Sequence, residues 1–178
     1  MSQNVTQQLL KELLEYTPDT GQLVWRPRER SLFKTEKSYK QFHNLFAGKP
    51  AFTANSGKGY LTGTLLGKTF KAHRVIWCIV YGDFPIPPLQ IDHINGDRAD
   101  NRLENLRLVD NQTNCKNQKL RRNNSTGMTG VSWNSRDKCW QVAVGNVSLG
   151  TFKSFEDACK KRKQAEKTFE YHKNHGRN

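Results

Sequence analysis

Apolar material is scarce in this chain. Only 35% of its 178 residues are hydrophobic and the mean hydropathy is −0.82. One large core is therefore not expected, and the apolar residues must serve small modules. No run of about 18 apolar residues occurs, which excludes a membrane-spanning helix on hydropathy. The opening MSQNVTQQLLKELLEY carries neither a signal-peptide pattern nor the basic amphipathic stretch of a membrane-surface helix. No membrane partner is expected, and the expected location is cytoplasmic. Paired cysteines are missing as well. Cys78, Cys115, Cys139 and Cys159 lie far apart with no C-x-x-C spacing, so no structural zinc is expected and all four should be reduced, buried or half-buried thiols.

Acidic charge is the other deficit. Sixteen Asp and Glu face 29 Lys and Arg, a net charge of +13 with pI near 9.8. So cationic a chain attracts polyanions, and with membranes set aside the partner is nucleic acid.

What is present falls into three stretches. Leu9, Leu10, Leu13 and Leu14 make one apolar stripe of a helix expected over 4–16, closed by Thr17-Pro18-Asp19-Thr20-Gly21. Leu23-Val24-Trp25 suggests a strand, and a helix near 35–46 would bury Phe42, Leu45 and Phe46. Residues 58–72 alternate as a hairpin, with Tyr60, Thr62, Thr64 and Leu66 on one face and Gly67-Lys68 as its turn. His73 to Tyr81 is expected to be a buried helix, stopped by Gly82 and the prolines after it. Asn123 to Gly130 has the composition of a linker. Beyond it, 131–133, 140–144 and 147–152 suggest three strands, and Ser154 caps a helix over 155–170 whose Phe155, Ala158, Cys159, Arg162, Ala165 and Phe169 share a face.

The chemistry concentrates between Ile91 and Asn117. Asp92-His93-Ile94-Asn95-Gly96-Asp97 places a carboxylate and an imidazole just before a tight-turn signal. Leu106-Arg107-Leu108-Val109 alternates as a second strand, and Asp110 is expected to cap a helix reaching about Leu120. A neutral imidazole can deprotonate water near pH 7. A carboxylate and an amide oxygen are hard ligands suited to Mg²⁺ or Mn²⁺. Together these suit hydrolysis of a phosphodiester.

Asp92-His93-Ile94-Asn95-Gly96-Asp97, Asn101, Glu104-Asn105-Leu106-Arg107 and Asn114 resemble the core of HNH nucleases, in the phage and intron-encoded homing group whose third motif residue is Asn. The resemblance implies a ββα-metal fold with His93 as general base and Asp92 and Asn114 as ligands of one Mg²⁺ or Mn²⁺. It implies that Asn105 pins the loop carrying the base. The chain has no His between His93 and His172, so Asn111 and Asn117 stand as alternative ligands to Asn114. Trp133, Trp140, Leu149-Gly150, Phe152 and Glu156-Asp157-Ala158 resemble the plant ethylene-response (Apetala-type) DNA-binding domain. That resemblance offers Asn134, Arg136, Lys138 and Gln141 as groove-facing residues.

The expectation is thus an α+β protein in three parts: an N-terminal accessory region over 1–71, a nuclease core over 72–122, and, after a linker at 123–129, a sheet-and-helix DNA-binding module over 130–172. Arg74, Arg107, Lys119, Arg121 and Arg122 are the further expected DNA contacts. Asp97, Arg98 and Asp100 are expected to be solvated loop charges. The expected activity is metal-dependent cleavage of duplex DNA by a site-preferring nicking or homing-type enzyme. A monomer is the default and a dimer the route to a double-strand cut. The rival is a non-catalytic DNA-binding regulator built on a decayed core.

Overall fold

The computed structural model describes residues 5–177. They divide into two compact units, the first ending at Asn111 and the second beginning at Gln112. Helices and small antiparallel sheets are mixed throughout, as an α+β chain requires.

In the first unit, α1 (Gln7–Leu13) starts where the Thr6 hydroxyl accepts from Leu9 N at 3.3 Å. It stops earlier than the leucine stripe suggests, because Leu14 turns extended and opens β1 (Leu14–Thr17), which pairs with β2 (Gln22–Trp25). The expected helix also began at residue 4, outside the described residues. Helix α2 (Glu36–Leu45) is closed at its start by a Thr35–Ser38 capping box. Its expected buried side is not buried: Leu45 and Phe46 are 52% and 46% exposed, and the helix leans on a half-buried aromatic cluster with Arg28 stacked on Phe42.

Strand β3 (Pro50–Ala51) extends the first sheet, and β4 (Ala54–Asn55), β5 (Leu61–Leu65) and β6 (Lys68–Lys71) form a second. The β5–β6 turn is Leu66-Gly67, both at positive φ, one residue earlier than expected. Helix α3 (Ala72–Tyr81) follows at once, and Gly82 closes it at φ 104°. The unit ends with the ribbon of β7 (Gln90–His93) and β8 (Leu106–Val109).

Leu10, Leu14 and Leu23 share one core with Phe52, Val75, Ile76, Ile91 and Leu106. Residues of the accessory region and of the stretch that follows it thus pack into one core within the first unit, which ends at Asn111.

Helix α4 (Asn111–Cys115) follows β8, so the order strand, strand, helix stands. It ends well before Leu120, because Asn111, Asn114 and Asn117 compete with the backbone for hydrogen bonds and Thr113 is β-branched. The segment beyond it is held by the C-terminal tail: His172 N bonds to Lys116 O, Gly176 N to Gln118 O and Leu120 N to Arg177 O.

In the second unit β9 (Val131–Asn134), β10 (Cys139–Val144) and β11 (Val147–Phe152) form a sheet in the order β11-β10-β9. Helix α5 (Phe155–Thr168) begins where Ser154 Oγ accepts from Glu156 N and Asp157 N. Its inward face is Ala158, Arg162 and Ala165. Arg162 is only 1% exposed, and it is neutralised by Glu166 at 3.0 Å, donates to Ala143 O at 2.7 Å and lies over Tyr171. The expected linker is an ordered loop: Asn124 Oδ1 accepts from Thr126 N and Gly127 N, and Thr126 Oγ1 donates to Val131 O. All four cysteines are free thiols; Cys115 is exposed instead of buried.

Candidate active site

Asp92 and His93 close strand β7, and both are buried. Register pairs Asp92 with Arg107 and His93 with Leu106 on β8. Neighbours on a strand point to opposite faces, and the two side chains accordingly have different surroundings. Asp92 Oδ2 accepts from Arg107 Nη2 at 2.8 Å and from Nε at 3.0 Å. His93 sits among Asn101, His73 and Tyr60.

The loop between the strands is cross-linked by its own polar side chains. Asn105, buried, spans it: its Oδ1 accepts from Asn95 N at 2.9 Å and its Nδ2 donates to Asp100 O at 2.8 Å. Asp100 accepts from Asn95 Nδ2 at 2.7 Å and from Arg102 Nη2 at 2.8 Å, and the Arg102 guanidinium holds its carboxyl down at about 2. Asp100 is therefore part of the loop's frame and not a solvated charge. The β1–β2 hairpin grips the same loop from outside, through Tyr16 Oη to Asn101 O at 2.9 Å and Leu103 N to Pro18 O. Gly21 approaches so closely that a Cβ would strike the Asn101–Arg102 backbone, and its φ of 73° also favours glycine.

This frame fixes the imidazole. His93 Nε2 lies 3.3 Å from Asn101 Oδ1, while Asn101 Nδ2 donates to Ala99 O. An amide oxygen only accepts, so this contact is a hydrogen bond when the ring carries its proton on Nε2. Burial pushes the His93 pKa below its ordinary value, against the opposing pull of Asn101 and of Asp92, so the ring is neutral near pH 7. His73 lies edge-on to it, 5.0 Å between centroids, and burial pushes that ring down to about 3. His73 Nδ1 is buried without a hydrogen-bond partner. Asn101, His73 and Tyr60 were not singled out for the site from sequence; only a resemblance position marked Asn101.

Among the described residues no three of His, Cys, Asp and Glu cluster as a metal-binding group. A hard ion such as Mg²⁺ keeps several waters and needs only one or two carboxylates, and Asp92, buried and next to His93 in the strand, is a carboxylate that could supply one. Asn114 stands half-buried on α4, among the residues of the second unit. Of its alternatives, Asn111 is exposed, and Asn117 is buried with its Oδ1 accepting from Arg177 Nη1 at 3.2 Å.

Residues 70–116 match the HNH endonuclease family. The HNH segment thus runs from the end of β6 through α3, the ribbon and α4. The chain is also similar to protein 3.8 of Escherichia phage T7, 35% identical over 78 residues, which are 43% of this chain and 63% of that relative. No solved structure matches the chain.

The expected DNA contacts are dispersed. Arg74 is half-buried and donates to Pro85 O at 3.1 Å, so it braces the bend after α3. Arg107 is committed to Asp92. Lys119, Arg121 and Arg122 are exposed in the second unit, with no ion pair among the described residues. Asn134 holds the β9–β10 turn, accepting from Arg136 N and Asp137 N and donating to Asp137. Arg136, Lys138 and Gln141 are exposed. Gln141 lines an open groove of about 440 Å³ with Ser132, Ser148 and Thr151. No helix among the described residues is long and apolar enough to cross a membrane.

Proposed function

We propose that the chain is a DNA endonuclease that hydrolyses phosphodiester bonds with a divalent cation, and that it cuts one strand per engagement at preferred sites. The observation that carries this reading is the buried imidazole of His93, kept neutral by that burial and set against Asn101, inside a segment that matches the HNH endonucleases.

In the reaction, His93 Nδ1 takes a proton from water as the water oxygen attacks phosphorus and the bond to the 3′ oxygen breaks. The leaving oxygen takes its proton from solvent. Asn101 keeps the ring in the tautomer and orientation that present Nδ1, and Asn105 keeps the loop that carries Asn101. Asp92 and Asn114 are the residues that would hold Mg²⁺ or Mn²⁺, which when bound polarises the phosphate and takes up charge on the leaving oxygen. Lys and Arg residues position the backbone, while the open face of the β9–β10–β11 sheet supplies site preference in the manner of the Apetala-type domain.

One observation favours the regulator instead: Arg107 occupies an oxygen of the carboxylate that the metal needs. Incubating supercoiled plasmid with the protein and Mg²⁺ or Mn²⁺, with an EDTA control, separates the two. The nuclease reading expects metal-dependent relaxed circles. Binding without any cleavage, repeated on DNA of the protein's own source, supports the regulator.

A further inference from the structure

We propose that Tyr60, Lys71 and Arg98 form a phosphate-binding position beside His93, gripping the nucleic-acid backbone next to the bond that is cut; this rests on the endonuclease reading of the same site.

Lys71 Nζ lies 4.3 Å from the Tyr60 ring centroid and Arg98 Cζ 4.8 Å from it. The Tyr60 ring in turn lies 5.9 Å from the ring of His93 and 5.1 Å from that of His73. Two cations thus share one aromatic platform that adjoins the proposed base. They cannot be farther apart than about 10 Å, a Debye length at 0.1 M salt, so their repulsion is felt.

No carboxylate relieves it. Neither Lys71 nor Arg98 forms an ion pair among the described residues. The acids of the adjoining loop are engaged elsewhere, Asp97 Oδ1 by Ala99 N and Asp100 by Arg102 and Asn95. The repulsion registers at Lys71, whose pKa is lowered by burial and then by Arg74, Lys58 and Arg98. A single cation over Tyr60 would be ordinary surface packing. A second one brought in from another loop, with no counter-charge, is the arrangement a phosphodiester would complete.

Arg98 is also held in place. Arg98 lays its stem on Gly59, where a Cβ would already touch it at 3.7 Å, and its Nη1 donates to Lys58 O at 2.9 Å. Lys71 ends β6 and immediately precedes the buried start of α3, two residues before His73. A strand lying across Tyr60 would have one phosphate on the cations and a neighbouring one near the imidazole.

The test is equilibrium binding of the full chain to a short duplex of arbitrary sequence over a range of salt, comparing wild type with Lys71→Met/Arg98→Met. Each lost phosphate contact lowers the slope of log affinity against log salt by about 0.9, so the double variant should lose roughly 1.8. The conservative pair Lys71→Arg/Arg98→Lys should keep the wild-type slope, and Tyr60→Phe should keep it too. An unchanged slope in the Met pair overturns the proposal, as does an equal loss in the conservative pair, which would mean a damaged fold. Binding needs no cleavage, so the two readings fail separately. A reduced slope in a protein that never cuts leaves the phosphate position standing and removes the nuclease. Cleavage with an unchanged slope does the reverse.

Discussion

At the scale of single residues, the proposed chemistry depends on how the His93 ring is held. Asn101 Oδ1 lies 3.3 Å from its Nε2, so removing Asn101 should hurt chemistry more than binding. Asn101→Ala should lower the single-turnover cleavage rate by about 10²-fold, at the lower end of what a positioned base contributes, with DNA affinity little changed. A rate within twofold of wild type would show that the ring needs no such partner. The Asp92–Arg107 pair makes a second prediction. Asp92 is 8% exposed, and Arg107→Met leaves its charge without the guanidinium, at a cost on the order of 3 kcal/mol in stability. If Asp92 holds the cation, Mg²⁺ should raise the melting temperature of the variant more than that of wild type. Equal shifts would mean that Asp92 is not a ligand. That Asp92, His93 and Asn105 lie in one strand–loop–strand segment was legible in the sequence because Asn95-Gly96 is a local turn signal, while the place of Asn105 in the loop came from the HNH resemblance. Tyr60 and His73 were not legible, because tertiary packing alone brings those rings to His93. Arg98 is the exposed loop charge that was expected, but its contacts with Gly59 and Tyr60 were not legible, because those residues are distant in sequence.

At the scale of elements, the loop between β7 and β8 is a polar frame instead of a flexible turn. Asp100 is its most perturbed acid, held at about 2 against an ordinary 3.8. A depressed folded-state pKa stabilises above the unfolded value and is lost as pH falls through the folded one. Acid unfolding should therefore draw on Asp100 between about pH 4 and pH 2. Asp100→Asn should flatten the stability profile in that window, and an unchanged acid limb would mean that Arg102 does not hold the carboxylate in solution. Strands β2, β5, β6 and β8 to β11 and helix α3 were foreseeable from alternation and from the apolar runs, whereas β1, β3 and β4 were not. Boundaries also escaped: α1 ends early because Leu14 is drawn into a strand and the core, and α4 ends early because its asparagines compete with the backbone for hydrogen bonds.

At the scale of the whole molecule, scarcity of apolar residues has a consequence that composition alone did not locate. Expected as a separate accessory piece, residues 1–71 instead share a core with the HNH segment, while the second unit keeps a small core of Val131, Val142 and Ala158. Val142→Ala should therefore destabilise the second unit by about 2 kcal/mol and leave the first untouched. Denaturant unfolding followed at Trp133 and Trp140, against Trp25 and Trp77, checks this, and a matching shift at all four would indicate one cooperative body. The three-strand and helix order of that unit was legible from its turn signals and from the Ser154 cap, but the engagement of Asn134 in a turn was not.

The most direct test of the central claim is plasmid cleavage by His93→Ala beside wild type in Mg²⁺, with duplex binding measured on both. The account predicts that the variant binds DNA as wild type does and produces no relaxed circles. Metal-dependent cleavage by the variant at the wild-type rate would contradict it.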